Sequence, residues 1–279
     1  MKTAIIISTI LIHFSCYSQT TKEKYILDDV GIMVENFEKS NQDDDKYSKD
    51  NKIYTIGKKF YYTYYYENMK GDKFLIEKGE EIKKEGYSVF GWRFIEIAKQ
   101  NAQTLKNIVL KPISGNPFEE QIPDYNQTGI SYEYLMNNNL PLTMEVTGAI
   151  ENEVNTWIHP PRSSFFQILE LNPFPYIKAP YKVGTKWNWK LEIGDHWSDK
   201  RWLEWKGRIE NNYDYQITEQ TTVSTKVGDL ECFVIKAKAK SRIGETELIS
   251  YFNPDYGFIK LEYKNIDGTK IVLELDKME

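Results

Sequence analysis

Residues 245–276 read ETELISYFNPDYGFIKLEYKNIDGTKIVLELD, and this stretch decides the fold. Two turn signals divide it, Asn253-Pro254-Asp255-Tyr256-Gly257 and Asp267-Gly268, leaving segments of strand length between them. In the last two segments Ile259, Leu261 and Tyr263, then Ile271, Leu273 and Leu275, fall on one side, and charged residues mostly fall on the other. That period of two belongs to an antiparallel sheet with one buried and one wet face. Working upstream, residues 213–217 and 230–240 alternate in the same way, set off by Asn211-Asn212 and Gly228-Asp229, so the last hundred residues are expected to form a meander.

Further towards the N-terminus the signal weakens. IYTI from Ile53, KFYYTYYYEN ending at Lys70-Gly71-Asp72, and KFLIEKG read as strands, as do residues 130–136 and 142–150. Residues 91–110 fit a helical face through Trp92, Ile95, Ala98, Ala102 and Leu105, but Phe94 to Ile97 alternate as well. Val30, Met33, Val34 and Phe37 recur at helical spacing, which predicts a short helix over 29–39 capped by Asp28 or Asp29, followed by a polar loop. Pro160-Pro161 forces a turn. After it Ser163 or Ser164 offers a helix cap, and Asn172-Pro173 a stop. The expected fold is mainly β, a β-rich α+β chain built as a curved antiparallel sheet or incomplete β-barrel with a few short helices. Its parts are a leader at 1–18, a helix/loop segment at 19–51, and a β-rich domain at 52–279 with a candidate sub-boundary near 172–180.

The leader sets the compartment. Met1-Lys2, an apolar run from Ala4 to Phe14 and the small-residue exit at 15–19 form a signal peptide, too short for the roughly 20 apolar residues of a membrane span. Ser18 and Cys16 supply the small −1 and −3 residues of ordinary cleavage, which favours free secretion. Acylation of Cys16 as a lipoprotein is the alternative, although His13 and Phe14 fit its pattern poorly. The chain is thus expected to be exported, to the periplasm, the outer membrane or the medium. A membrane would be reached only through a lipid on Cys16.

Against 36 basic residues stand 41 acidic ones, a net charge of −5. Nucleic-acid binders carry the opposite excess, because phosphate neutralisation supplies most of their affinity. With Cys16 in the leader or under a lipid, Cys232 has no partner, so the core must supply the stability. The aromatic share, 14%, is high and suits strands before it suggests any ligand.

Three turn-and-strand segments carry a family resemblance: Gly184-Thr185-Lys186-Trp187, Val227-Gly228-Asp229-Leu230-Glu231-Cys232, and Tyr251-Phe252-Asn253-Pro254-Asp255-Tyr256-Gly257-Phe258-Ile259-Lys260. The C-terminal part, from Tyr181 to Leu275, resembles exported bacterial domains of unknown function, themselves similar to the half-barrel of lipoprotein carriers. The Cys-Tyr-Ser-Gln leader ending likewise resembles Bacteroidetes-type signal peptides. The resemblance implies a partial barrel over a helix or two, with an apolar concavity that holds acyl chains in the carriers, and it brings no catalytic residue.

Candidate binding residues are the tryptophans Trp187, Trp189, Trp197, Trp202 and Trp205, clustered around one expected hairpin. They would stack on sugar rings or line an apolar pocket; core packing of the hairpin is the plainer reading. His159 and Arg162 flank the proline turn and could meet an anion or serve an acid-base step, against the reading of a rigid, solvated turn. Asp195-His196 with Asp199 is too poor in His and Cys for zinc. Asp43-Asp44-Asp45 lacks the alternate spacing of a calcium loop, and Cys232 sits among apolar neighbours. No catalytic residue, metal or cofactor is assigned, since no nucleophile-elbow, zincin or phosphate-loop motif occurs. The expected function is non-catalytic binding in the cell envelope, of an apolar or lipid-like small molecule. A structural or protein-interaction role follows, with residues 60–66 as an exposed edge or patch that an envelope partner would meet, and hydrolysis comes third.

Overall fold

The computed structural model describes residues 23–38, 40–84 and 87–279, so the leader and Cys16 lie outside the described residues. The chain is mainly β, with about half of it in strands and one helix of any length. Its strands are β1 (Tyr25–Leu27), β2 (Met33–Glu35), β3 (Phe60–Glu67), β4 (Lys73–Lys84), β5 (Tyr87–Glu96), β6 (Leu105–Pro112), β7 (Thr128–Met136) and β8 (Pro141–Glu151). The second half continues with β9 (Asn155–Ile158), β10 (Tyr176–Lys178), β11 (Lys186–Ile193), β12 (Ile209–Thr225), β13 (Gly228–Ser241), β14 (Gly244–Asn253), β15 (Gly257–Lys264) and β16 (Lys270–Met278).

Alternation of apolar and polar residues, seen in the sequence from β12 onward, produces a ladder in which each strand from β11 to β16 pairs with its sequence neighbour. The distant step is β16 against β3, which sets Leu275, Leu273 and Ile271 opposite Tyr62, Tyr64 and Tyr66. The other edge of β3 is shared: Phe60–Tyr62 pair with β6, and Tyr66 and Glu67 pair with β4. From β6 the ladder runs through β7, β8 and β9 to β10. The expected exposed tyrosine edge at residues 60–66 is therefore an interior strand, with Phe60, Tyr62 and Tyr64 buried. The two tyrosine hydroxyls remain satisfied: Tyr62 donates to the Phe258 carbonyl at 2.8 Å, and Tyr64 accepts the Ile76 N–H at 2.7 Å.

The curled sheet ends at β10 and β11, and aromatic contacts bring these ends together. Tyr176 lies 5.6 Å from Trp187 and 5.5 Å from Tyr215, while Phe174 lies 5.3 Å from Trp189. The result is a nearly closed antiparallel barrel whose seam is held by burial of rings instead of a backbone ladder.

Where a helix was expected over 29–39, β1 and β2 form a small hairpin around Gly31, whose φ of 83° supplies the turn. The apolar spacing there serves docking: Ile32 and Val34 are buried, Trp189 donates to the Val30 carbonyl at 2.5 Å, and Asn152 and Asn155 donate to Met33 at 2.9 and 3.0 Å. The 91–110 stretch resolves into the end of β5, a single 3-10 turn and β6.

The helix after the proline turn forms as a 3-10 helix over Ser164–Leu171. Ser163 precedes it but makes no cap bond; its hydroxyl is spent elsewhere. The helix survives at this length because it is buried, with Phe166 against Tyr64 at 5.3 Å and Tyr134 at 5.7 Å in the barrel mouth. Among the described residues no helix is long and apolar enough to cross a membrane.

Candidate functional site

Two surfaces meet at the 164–171 helix. The first is polar. The turn carrying Pro160 and Pro161 directs His159 and Arg162 towards the helix, where Glu170 is buried. Glu170 Oε1 stands 3.2 Å from His159 Nε2 and 3.5 Å from Arg162 Nη1, and Arg162 Nη1 stands 3.2 Å from the same imidazole nitrogen. A second carboxylate, Glu145 on β8, accepts the Arg162 backbone N–H at 2.8 Å, the Ser163 hydroxyl at 3.0 Å and the Tyr134 hydroxyl at 2.7 Å.

Burial dominates the electrostatics of this cluster. It pushes the His159 imidazole down to about 3, with help from the Arg162 charge, and raises Glu170 to about 7 against the pull of Arg162. Burial also raises Glu145. Near neutral pH the imidazole is uncharged. Nδ1–H donates to the Pro160 carbonyl, 2.9 Å away, so Nε2 must accept, from Arg162 or from a protonated Glu170. The arrangement can hold one proton between Glu170 and His159. The Ser163 hydroxyl is bonded to Glu145 and makes no hydrogen bond to the imidazole among the described residues, so the pieces of a serine nucleophile are not joined here.

The second surface is aromatic. Ser164, at φ 57°, takes a left-handed conformation that a non-glycine residue adopts at a cost of about 1–2 kcal/mol. The next side chain, Phe165, is buried among a different set of rings from Phe166. It meets Tyr66 at 5.1 Å, Phe94 at 5.0 Å and Trp92 at 5.4 Å. Tyr66 and Phe94 stack at 4.2 Å. Together with Phe90, Arg93, Arg201 and Asp267 these residues line an open groove of about 630 Å³.

The β4–β5 hairpin forms one wall of the groove. It bends at a bulge between Lys78 and Glu81, where Gly79 crosses Gly91 so closely that a Cβ on Gly79 would lie 2.8 Å from the Gly91 carbonyl carbon. Only glycine fits there. The opposite wall is the loop between β11 and β12, where the Arg201 guanidinium lies 5.0 Å from the Trp92 ring and 4.9 Å from Trp202, held by Asp199 at 2.6 and 2.8 Å.

The tryptophans singled out from the sequence are distributed between core and groove. Trp187 stacks on Tyr215 at 5.2 Å and Trp189 on Tyr213 at 4.7 Å, both directly cross-strand and buried. Trp205 is buried too. Trp202 supports the groove through Phe165 and Arg201, and Trp197 lies 5.8 Å from the Arg162 guanidinium. His159 and Arg162 do come together, with Glu145 and Glu170, two carboxylates that sequence reading missed. Glu170 sits one turn inside an apolar helix face, a charge where pattern calls for none, and that was the available signal. Glu145 gives no such signal. The groove residues Trp92 and Phe94 were read only as part of an ambiguous segment.

Asp195 and Asp199 are taken up by Gly207 and Arg201, and among the described residues no group of three His, Cys, Asp or Glu side chains could hold a metal ion. Burial raises the Cys232 thiol to about 11.

No family model matches the chain, and no curated protein matches it. Among solved structures it is similar to a candidate exported protein of Bacteroides fragilis with a YmcC-like fold, at 11% identity over 81% of this chain and 97% of that one, with a TM-score of 0.46. A candidate lipoprotein of Parabacteroides distasonis has the same identity and coverage at a TM-score of 0.44. The hypothetical lipoprotein YmcC of Escherichia coli has 12% identity over 79% of this chain and 83% of that one, at 0.34. Likeness of this degree does not fix what the chain binds.

Proposed function

We propose that this chain is an exported, non-catalytic binding protein of the cell envelope, and that its ligand lays an apolar face into the aromatic groove outside the barrel. The observation that carries this reading is the groove itself: four part-exposed rings, those of Tyr66, Phe90, Trp92 and Phe94, converge over buried Phe165 around one open groove of about 630 Å³. Concave sites of that size with few polar groups are where small molecules bind.

The barrel interior supports the outer site by contrast. A cavity inside it, between Tyr62, Ile108, Tyr132, Ile158, Pro161, Leu261 and Leu273, measures about 10 Å³, room for about one water molecule. An acyl chain held inside, as the carrier resemblance implies, would have to displace packed side chains. A role in protein interaction loses its expected edge, because β3 is paired on both sides.

Native mass spectrometry of the full chain purified from its own host tests the proposal and also reports any acyl group on Cys16. The expected result is a retained small molecule that Trp92→Ala loses while the circular dichroism spectrum is unchanged. Retention undiminished in Trp92→Ala would place the ligand elsewhere and overturn the groove.

A further inference from the structure

Resting on the groove as the binding site, we infer that its ligand is an uncharged glycan. A sugar ring would lie over Trp92 and Phe94, with its hydroxyls directed to Arg201, Arg93 and Asp267.

A groove built for a carboxylate or phosphate headgroup needs cations without partners, because charge-assisted bonds to the ligand supply its affinity. Here both arginines of the lining are spoken for. Arg93 Nε is bound by buried Glu77 at 2.5 Å, and Arg201 is chelated by Asp199 through Nε and Nη2. Asp267 is the one carboxylate of the lining itself, and Glu77 and Asp199 are the carboxylates paired with its two arginines. Lys78, 3.5 Å over the Phe90 ring, brings the cations level with the carboxylates instead of ahead of them. The wall is balanced in charge, so an anionic ligand gains no net attraction.

What the wall does offer is hydrogen bonding to uncharged groups. A guanidinium carries five donors, and the bonds to Glu77 and Asp199 use only some of them. Asp267 spends Oδ1 on the Thr269 N–H and hydroxyl, and among the described residues no hydrogen bond takes Oδ2. Fixed donors beside a fixed acceptor match the paired hydroxyls of a sugar, each of which both donates and accepts.

The rings supply the other half. Trp92, Phe94 and Tyr66 are partly exposed and Phe90 is 42% exposed. The negative faces of such rings attract the C–H groups on the apolar side of a pyranose. Shape agrees as well. Binding an acyl chain depends on removing most of its surface from water, and this groove is open along its length, whereas a sugar needs one face covered and leaves the other wet.

The test uses the full mature chain with neutral oligosaccharides of glucose, mannose, galactose and N-acetylglucosamine, an acidic oligogalacturonate, and palmitate, followed by tryptophan fluorescence and calorimetry. A neutral oligosaccharide is expected to bind saturably, with affinity unchanged between low and high salt. Trp92→Ala should weaken it tenfold or more, and Trp92→Phe, which keeps a ring and the fold, should weaken it less. Palmitate or oligogalacturonate bound in a Trp92-dependent way, with every neutral oligosaccharide failing, would overturn the glycan assignment and leave the groove standing. No Trp92-dependent binding of any probe would overturn both.

Discussion

Strands β11–β16 and strands β3–β10 belong to one antiparallel sheet, yet they spend their residues differently. In the C-terminal half each strand meets its neighbour in sequence, mostly through short turns, and the wet face carries paired charges such as Lys238 with Glu247 and Lys240 with Glu245. In the N-terminal half the connections lengthen, a hairpin branches off β3, and both buried charged residues of the described chain occur, Glu77 and Glu170. The polar cluster and most of the groove lie in this half. Regular alternation thus marks the part that builds the barrel, while departures from it mark the part that carries the candidate sites. Local rules are expected to give way where a site must be built.

The largest effect should come from breaking the seam that joins the halves. Trp189→Ala removes a buried ring stacked on Tyr213 and packed against Phe174 and Trp157. It is expected to cost about 3–5 kcal/mol in urea denaturation. A cost near that of a surface substitution would mean that the two sheet ends are not held together by these rings.

Next is Arg162→Ala, which leaves Glu170 buried without its cation and should cost about 3 kcal/mol at pH 8. The loss should shrink below pH 6, where Glu170 is protonated. An equal loss at both pH values would show that the arginine acts through its packing alone.

The cluster also predicts a specific pH dependence. Burial holds His159 at about 3 against 6.5 for the free group, so the unfolded chain binds the extra proton between these values and stability rises with pH across that window. Glu170, at about 7 against 4.5, binds its proton in the folded state, so its contribution is full below 4.5 and is lost as pH rises to 7. The two slopes oppose each other between 4.5 and 6.5, and the native protein should be nearly flat there. Glu170→Gln should unmask a rise with pH up to 6.5, and His159→Gln a fall between 4.5 and 7, at up to about 1.4 kcal/mol per pH unit. Thermal melts across pH 3–8 read both, and parallel profiles for the two variants would contradict the assigned protonation states.

The smallest effect belongs to the wet face of the meander. Lys238→Ala should change stability by no more than about 0.5 kcal/mol, and a larger change would mean that the C-terminal half holds more than a scaffold.

The sequence by itself determined the β class, the meander from β12 to β16 and its buried face, because a strand's period and its turn residues are local properties that survive without knowledge of the partner. It also brought out His159 and Arg162, through the two prolines that fix their turn. It misread 29–39 as helical because Val30, Met33, Val34 and Phe37 satisfy that spacing by chance while serving a docked hairpin. It placed the tyrosines of residues 60–66 on an edge because nothing within a strand tells which strands flank it. Only the tertiary structure decided that β16 returns to β3, that β10 meets β11 across rings, that Glu170 reaches His159 from 11 residues away, and that Glu145 takes the Arg162 N–H and the Ser163 hydroxyl. It also decided that Trp92, Phe94 and Phe165 form one groove while Trp187 and Trp189 are spent on the core. Each of these depends on long-range pairing, and a side chain's role as packing or as site is set by what the fold brings to its open face.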